Sequence, residues 1–215
     1  MRDFSNAKEN VNISAFDEID LQDYNNRRLY LNAVVSCSDL VVETTVWQDV
    51  VTGLAANILR YNREDKGIPV EERKPIIIYI NSPGGSVIDG FALIDVMINS
   101  KTPVYTVNLA DAASMGFLIF LAGSRRFSMP HCQFLCHDGS TSGYDSSAKM
   151  RDRMEFEANS LNPMVKDYVI SRTNIDPGLY DEKYRVEWYM LSEEAKSHGI
   201  VTDIVGKDCD IDVII

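Results

Sequence analysis

The chain has 215 residues, 45% of them hydrophobic, and a formal net charge of -11. That length suits one domain able to bury a sizeable core. The acidity argues against nucleic acid, whose binding rests on clustered Lys and Arg neutralising phosphates, and against anionic membranes; its plain consequence is solubility.

Residues 1–26 are polar and acidic, and they predict a mobile arm. They hold no apolar h-region of a secretory signal. No apolar run approaches the ~20 residues needed to span a bilayer, so a cytoplasmic protein is expected. Arg28–Val35 (RLYLNAVV) reads as a first strand. Val46, Val50, Leu54 and Ile58, with Trp47 and Val51 beside them, give the stripe of an amphipathic helix. Pro75–Ile80 (PIIIYI) is short, apolar and β-branched, as in a strand buried on both faces.

The turn NSPGGS, Asn81–Ser86, follows. A helix is then expected with Val87, Phe91, Ile94 and Ile98 on one side. Val104–Leu109 predicts another strand and Ala112–Ala122 a buried helix. Short strands are expected at Arg126–Met129 and Gln133–Cys136. This alternation is the signature of a mostly parallel, covered sheet. Residues 27–215 are read as one domain without an internal linker.

From Ser146 to Arg172 the chain is charged, with Met150, Met154, Ala158, Leu161, Val165 and Tyr168 at helical spacing. One helix of about 27 residues would be about 40 Å long and would project toward another subunit. Pro163 is expected to kink or split it. The plainer alternative is two core helices joined at Asn162-Pro163.

Cys37, Cys132, Cys136 and Cys209 are read as reduced packing residues. The x3 spacing of Cys132 and Cys136 is a poor zinc pattern. The two glycines of NSPGGS permit φ > 0 and close backbone approach, and amides at the following helix can face an oxyanion. The Gly-Lys-Ser/Thr ending of a phosphate-binding loop is missing. Ser114, between small residues at a helix start, is either an N-cap or a nucleophile; the second role needs a base. His137, closing the strand Gln133–Cys136, is the candidate. His131 stands at a turn and His198 at a helix end.

The segments IYINSPGGS, DAASMGF and RRFSMPHCQFLCHD resemble, in order and interval, the Clp protease proteolytic subunit family. The resemblance runs from about residue 27 to 205. It implies the α/β spiral of βαβ units shared with crotonases, with a projecting "handle" helix at about 146–172. It also implies stacked seven-subunit rings, and peptide hydrolysis with Ser114 as nucleophile and His137 as base. The amides of Gly85 and Met115 would form the oxyanion hole. No metal or cofactor is called for, and short peptides or unfolded chains would be the substrates.

Three departures qualify it. The triad acid falls on Glu182 counting forward from Leu179 and on Lys183 counting back from Glu194-Ala195. Glu182 is the assignment, with Asp181 and then Glu187 behind it. Lys183 at that site would weaken the base and point to an inactive ring subunit that modulates a paralogue. A crotonase-type enzyme acting on acyl-CoA is a third reading, without an evident basic site for the nucleotide. Residues 1–26 lack the hydrophobic loop by which family members dock a Clp-type ATPase, and Pro163 interrupts the handle.

Overall fold

The computed structural model describes residues 22–36, 50–139 and 145–215. Its sheet has the order β1 (Arg28–Leu31), β2 (Ile76–Ser82), β3 (Val104–Ala113), β4 (Arg125–Ser128) and β7 (Asp203–Ile204), every neighbour parallel. Two further strands, β5 (Gln133–Cys136) and β6 (Trp188–Leu191), hang from the far half of β3. Parallel neighbours need crossover connections, and these are the helices α1 (Val50–Glu64), α2 (Val87–Ile98) and α3 (Met115–Leu121).

β2 lies between β1 and β3, and its isoleucines are buried, as a continuous β-branched run requires. In α1 the buried residues are Val51, Leu54, Ile58 and Tyr61. The expected stripe therefore holds from Val50, half-buried, and Val51 through Leu54 and Ile58, while Val46 and Trp47 lie outside the described residues. In α2 the buried face is Gly90, Leu93, Ile94 and Met97, rotated from the expected one; Ile98 is exposed, and Val87 and Phe91 are half-buried.

The expected helix Ala112–Ala122 is corrected. Ala112 and Ala113 belong to β3, and the helix begins only at Met115. Ser114 has φ 54° and ψ -120°, a conformation no helix contains, so the strand must end there.

β3 serves two partners in succession. Tyr105–Asn108 pair with β4, and Asp111–Ala113 pair with β5. Asn108, fully buried, holds the fork: its Nδ2 donates to Gln133 O at 2.8 Å, and its Oδ1 accepts from Ala110 N–H at 3.1 Å. Its carbonyl accepts from Met129 N–H and from the Cys132 thiol. Cys132 and Cys136 are buried and free, and Cys209 is half-buried and free; Cys37 lies outside the described residues.

The handle region is one helical rod with an irregular centre. α4 (Ser147–Phe156) runs into a π-helical turn at Glu157–Leu161, then α5 (Asn162–Arg172). Pro163 has no N–H, and its ring would strike the carbonyl four residues back in a regular helix. The wider turn, in which Asn162 N–H reaches Glu157 O, accommodates it without a break. α4 buries none of its residues, and Met154 and Phe156 are exposed. α5 docks through Tyr168, whose hydroxyl donates to Leu118 O, and Arg172, which donates to the carbonyls of Leu121 and Ala122 at the end of α3. Two short helices follow, α6 (Pro177–Lys183) and α7 (Ser192–Ser197), flanking β6.

The expected arm 1–26 mostly lies outside the described residues, but residues 22–25 form a helical turn. Arg60 covers the Tyr24 ring, and Tyr61 Oη donates to Tyr24 O. Arg27 then makes a two-pronged ion pair with Asp65, at 2.6 and 2.7 Å, and Thr102 donates to the same carboxylate. The Arg27 guanidinium holds the Asp65 carboxyl below its ordinary value, against the opposing effect of burial.

Asp65→Asn removes the carboxylate charge from the half-buried Arg27 guanidinium, which keeps its bond to Lys74 O, and is expected to cost about 1.5–3 kcal/mol, read as a lowered urea midpoint. Because the folded-state pKa is depressed, the wild-type contribution is complete above the ordinary Asp range. It is lost as pH falls through the folded value. The variant's stability should vary less with pH in that acid window.

Candidate functional site

The site forms where the tips of β2, β3 and β5 meet. At the end of β3 the chain turns through Ser114, whose positive φ costs a non-glycine residue about 1–3 kcal/mol. Ser114 N–H donates to Leu135 O at 2.9 Å, fixing the turn to β5. Its side chain makes no capping bond, so the N-cap reading of its hydroxyl does not describe it.

The turn after β2 packs directly on Ser114. Gly84 has φ 99°, and a Cβ there would lie 2.6 Å from Ser114 Cβ and 2.7 Å from Ala113 O. Gly85 has φ 147°, and a Cβ there would meet Val35 O at 2.2 Å. Both contacts are impossible for any other residue. Val35 pins this turn, accepting from Ser86 N–H and donating to Gly84 O. The amides of Gly85 and Met115 have no hydrogen-bond partner among the described residues.

His137 follows β5 and lines the same cavity as Ser114, Gly85 and Met115. Its Nδ1 lies 3.1 Å from Glu187 Oε1, while its Nε2 is buried and without a partner. No hydrogen bond joins Ser114 to His137. The cavity measures about 430 Å³, within the usual range for ligand sites. Phe117, Leu118, Val165 and Val169 give it apolar walls. Burial pushes the neighbouring Cys136 thiol up to about 12, which makes it an inert packing group.

Glu182, the acid expected from counting, is not beside the imidazole. It sits on α6, exposed, with Lys183 Nζ at 3.5 Å, and Asp181 is held by Lys166. The reason is strand register. β5 and β6 are antiparallel with Cys136 opposite Trp188, so one step further His137 stands opposite Glu187. Lys183 likewise makes no ion pair or hydrogen bond with His137 among the described residues.

Sequence reading also missed Asn108 and Tyr180. Asn108 carries no motif, and its buried polar position inside an apolar strand was the available signal. Tyr180, on α6, lines the cavity wall, a placement that tertiary packing and no local motif decides.

A mostly parallel sheet presenting a strained serine at a strand–helix turn, with a histidine just after the adjoining strand, defines a chain of the α/β class. A family model described as Clp protease matches residues 30–208. Curated relatives named "ATP-dependent Clp protease proteolytic subunit" include one from Chaetosphaeridium globosum, 31% identical over 80% of this chain and 83% of the relative. Another, from Staurastrum punctulatum, is 31% identical over 77% of this chain and 90% of its own length. A third, from Chara vulgaris, is 36% identical over 64% of each chain. The chain belongs to the Clp protease family. Among the described residues no helix is long and apolar enough to cross a membrane.

Asn108→Leu strands the Gln133 carbonyl and the Ala110 amide. It is expected to destabilise the fold by about 2–3 kcal/mol, seen as a lower thermal midpoint. Gly84→Ala should disrupt the Ser114 turn, which crystallography would show as displacement of Ser114 from Leu135.

Proposed function

We propose that this chain is a serine peptidase in which Ser114 attacks the scissile carbonyl and His137 is its general base. Family membership supports a peptidase at the coarse level. The single observation that carries the residue assignment is the state of His137: one ring nitrogen lies on a carboxylate, and the other is buried without a partner in the cavity that Ser114 lines.

In this mechanism Nε2 takes the Ser114 proton as the hydroxyl oxygen bonds to the substrate carbon. The negative charge moves to the carbonyl oxygen, where the amides of Gly85 and Met115 receive it. Losing one such donor typically costs ~10²–10³ in rate. His137 then gives the proton to the leaving amine, and water, activated by the same imidazole, releases the acyl group. Glu187 takes the part of the carboxylate that fixes the Nδ1–H tautomer and stabilises the imidazolium. Glu187 is half exposed, so its effect is smaller than that of a sealed carboxylate. No step requires a metal or cofactor.

The working form is proposed to be a ring chamber of such subunits, stacked through the exposed outer half of the handle. It would be fed unfolded chains by a Clp-type ATPase or take short peptides directly. The second reading, a weakly active or inactive ring subunit, draws support from one observation, the missing Ser114–His137 hydrogen bond. Apo catalytic hydrogen bonds often tighten only with substrate.

Fluorophosphonate labelling separates the two. Labelling of the wild type, abolished in Ser114→Ala and much reduced in His137→Ala, is expected; an intact assembly that does not label supports the inactive subunit. Glu187→Gln should lower the labelling rate about 10–100-fold if it orients the imidazole, while Glu182→Gln should leave it unchanged. The reverse pattern would return the acid to α6.

A further inference from the structure

The cavity beside Ser114 is apolar over most of its wall but has a polar group set into it. Tyr180 is only 3% exposed, lines the cavity, and its hydroxyl has no hydrogen-bond partner among the described residues. The hydroxyl is not sealed in the protein either: the buried, unpartnered side-chain atoms are those of Arg28, Arg60 and His137 alone among the described residues. It therefore faces the open space of the cavity. Tyr184 stacks on its ring at 5.3 Å with the planes 7° apart, which fixes the direction of the phenol.

A hydroxyl that opens onto a cavity must find its hydrogen-bond partner there. Water can do so in the empty site, and a substrate side chain must do so when it displaces that water. We infer that this cavity selects a peptide residue with an apolar stem and an uncharged hydrogen-bonding end, such as Gln or Tyr, and that Tyr180 Oη reads that end. The inference rests on the peptidase reading for its substrate class.

Three features support an uncharged end. Burial raises the phenol's pKa, so the group is neutral and offers one donor with acceptor capacity. The charged pair that also lines the cavity, Arg153 and Glu157, is already joined at 3.1 Å. Phe117, Leu118, Val165 and Val169 surround the stem with groups that cannot solvate a charge. Tyr180 thus acts as a specificity-determining residue, and a side chain of equal length lacking the polar end would leave its hydroxyl unpaired.

The test uses the assembled Ser114→Ala protein, so that binding is read without hydrolysis. Two N-acetylated hexapeptides, identical except for a central Gln or Met, are titrated by calorimetry, with a Tyr/Phe pair as the second comparison. The Gln and Tyr peptides are expected to bind about fivefold tighter than their partners. In Ser114→Ala/Tyr180→Phe that preference should vanish while the Met peptide binds as before. The unfolding midpoint should not change, because the hydroxyl bonds to nothing in the protein. Equal binding within each pair, no binding at all, or a preference that survives Tyr180→Phe overturns the inference. Labelling of wild-type Ser114 judges the chemistry separately. A labelled protein with no Gln preference sinks only the pocket inference, and a Gln preference in a protein that does not label sinks only the peptidase reading.

Discussion

The structure depends on the division of β3 between two partners. A strand that pairs with β4 over its first half and with β5 over its second must leave backbone groups unpaired at the fork. Asn108 supplies the missing bonds there, with its side-chain amide to Gln133 and Ala110 and its own carbonyl to Met129 and Cys132. In a fully buried position these bonds are worth more than at the surface, and each missing one would cost the whole desolvation of a polar group. Because the fork is satisfied, β5 can lie against the tip of β3. That contact carries His137 into the cavity that Ser114 lines.

The same tip stores backbone strain. Ser114 has a positive φ, and Gly84 and Gly85 occupy conformations and spaces that admit no side chain. These three positions hold one another: the turn after β2 closes only if the turn after β3 stands where it does. Strain of this kind persists where packing over-determines it. Here α3 supplies that packing, with all seven of its residues buried. What results, among the described residues, is a serine without a capping bond, two amides without partners and an imidazole nitrogen without a partner, all bordering one space.

The handle shows how a local misfit is absorbed. Pro163 deletes one helical hydrogen bond, and the π turn at Glu157–Leu161 redistributes the loss over five residues, so the rod stays continuous. The inner half is tied to α3 by Tyr168 and Arg172, while the outer half is bare. In the acidic C-terminal region, pairs such as Lys166 with Asp181 and Lys207 with Glu193 are exposed and of small worth. The Arg27–Asp65 pair, two-pronged and with Asp65 buried, is worth more than these.

The sequence by itself determined the strand–helix alternation, the special geometry of NSPGGS, and Ser114 and His137 as candidates. Short-range patterns encode these: β-branched runs, helical spacing and glycines at tight turns. It misplaced the start of α3, because AASMG is apolar and small in either state and only the φ of Ser114 separates them. It rotated the buried face of α2 about Ile94, since Val87, Phe91 and Ile98 are as apolar as the residues that face inward. It put the acid on Glu182, ahead of Asp181 and Glu187. Counting residues fixes position along the chain, whereas the partner of an imidazole is fixed by which strands pair and in what register. Only the antiparallel fit of β6 on β5 set Glu187 opposite His137, and only tertiary packing brought Tyr180 of α6 to the cavity. Both are contacts between segments some 50 residues apart or joined through a third element, and no local pattern carries that information.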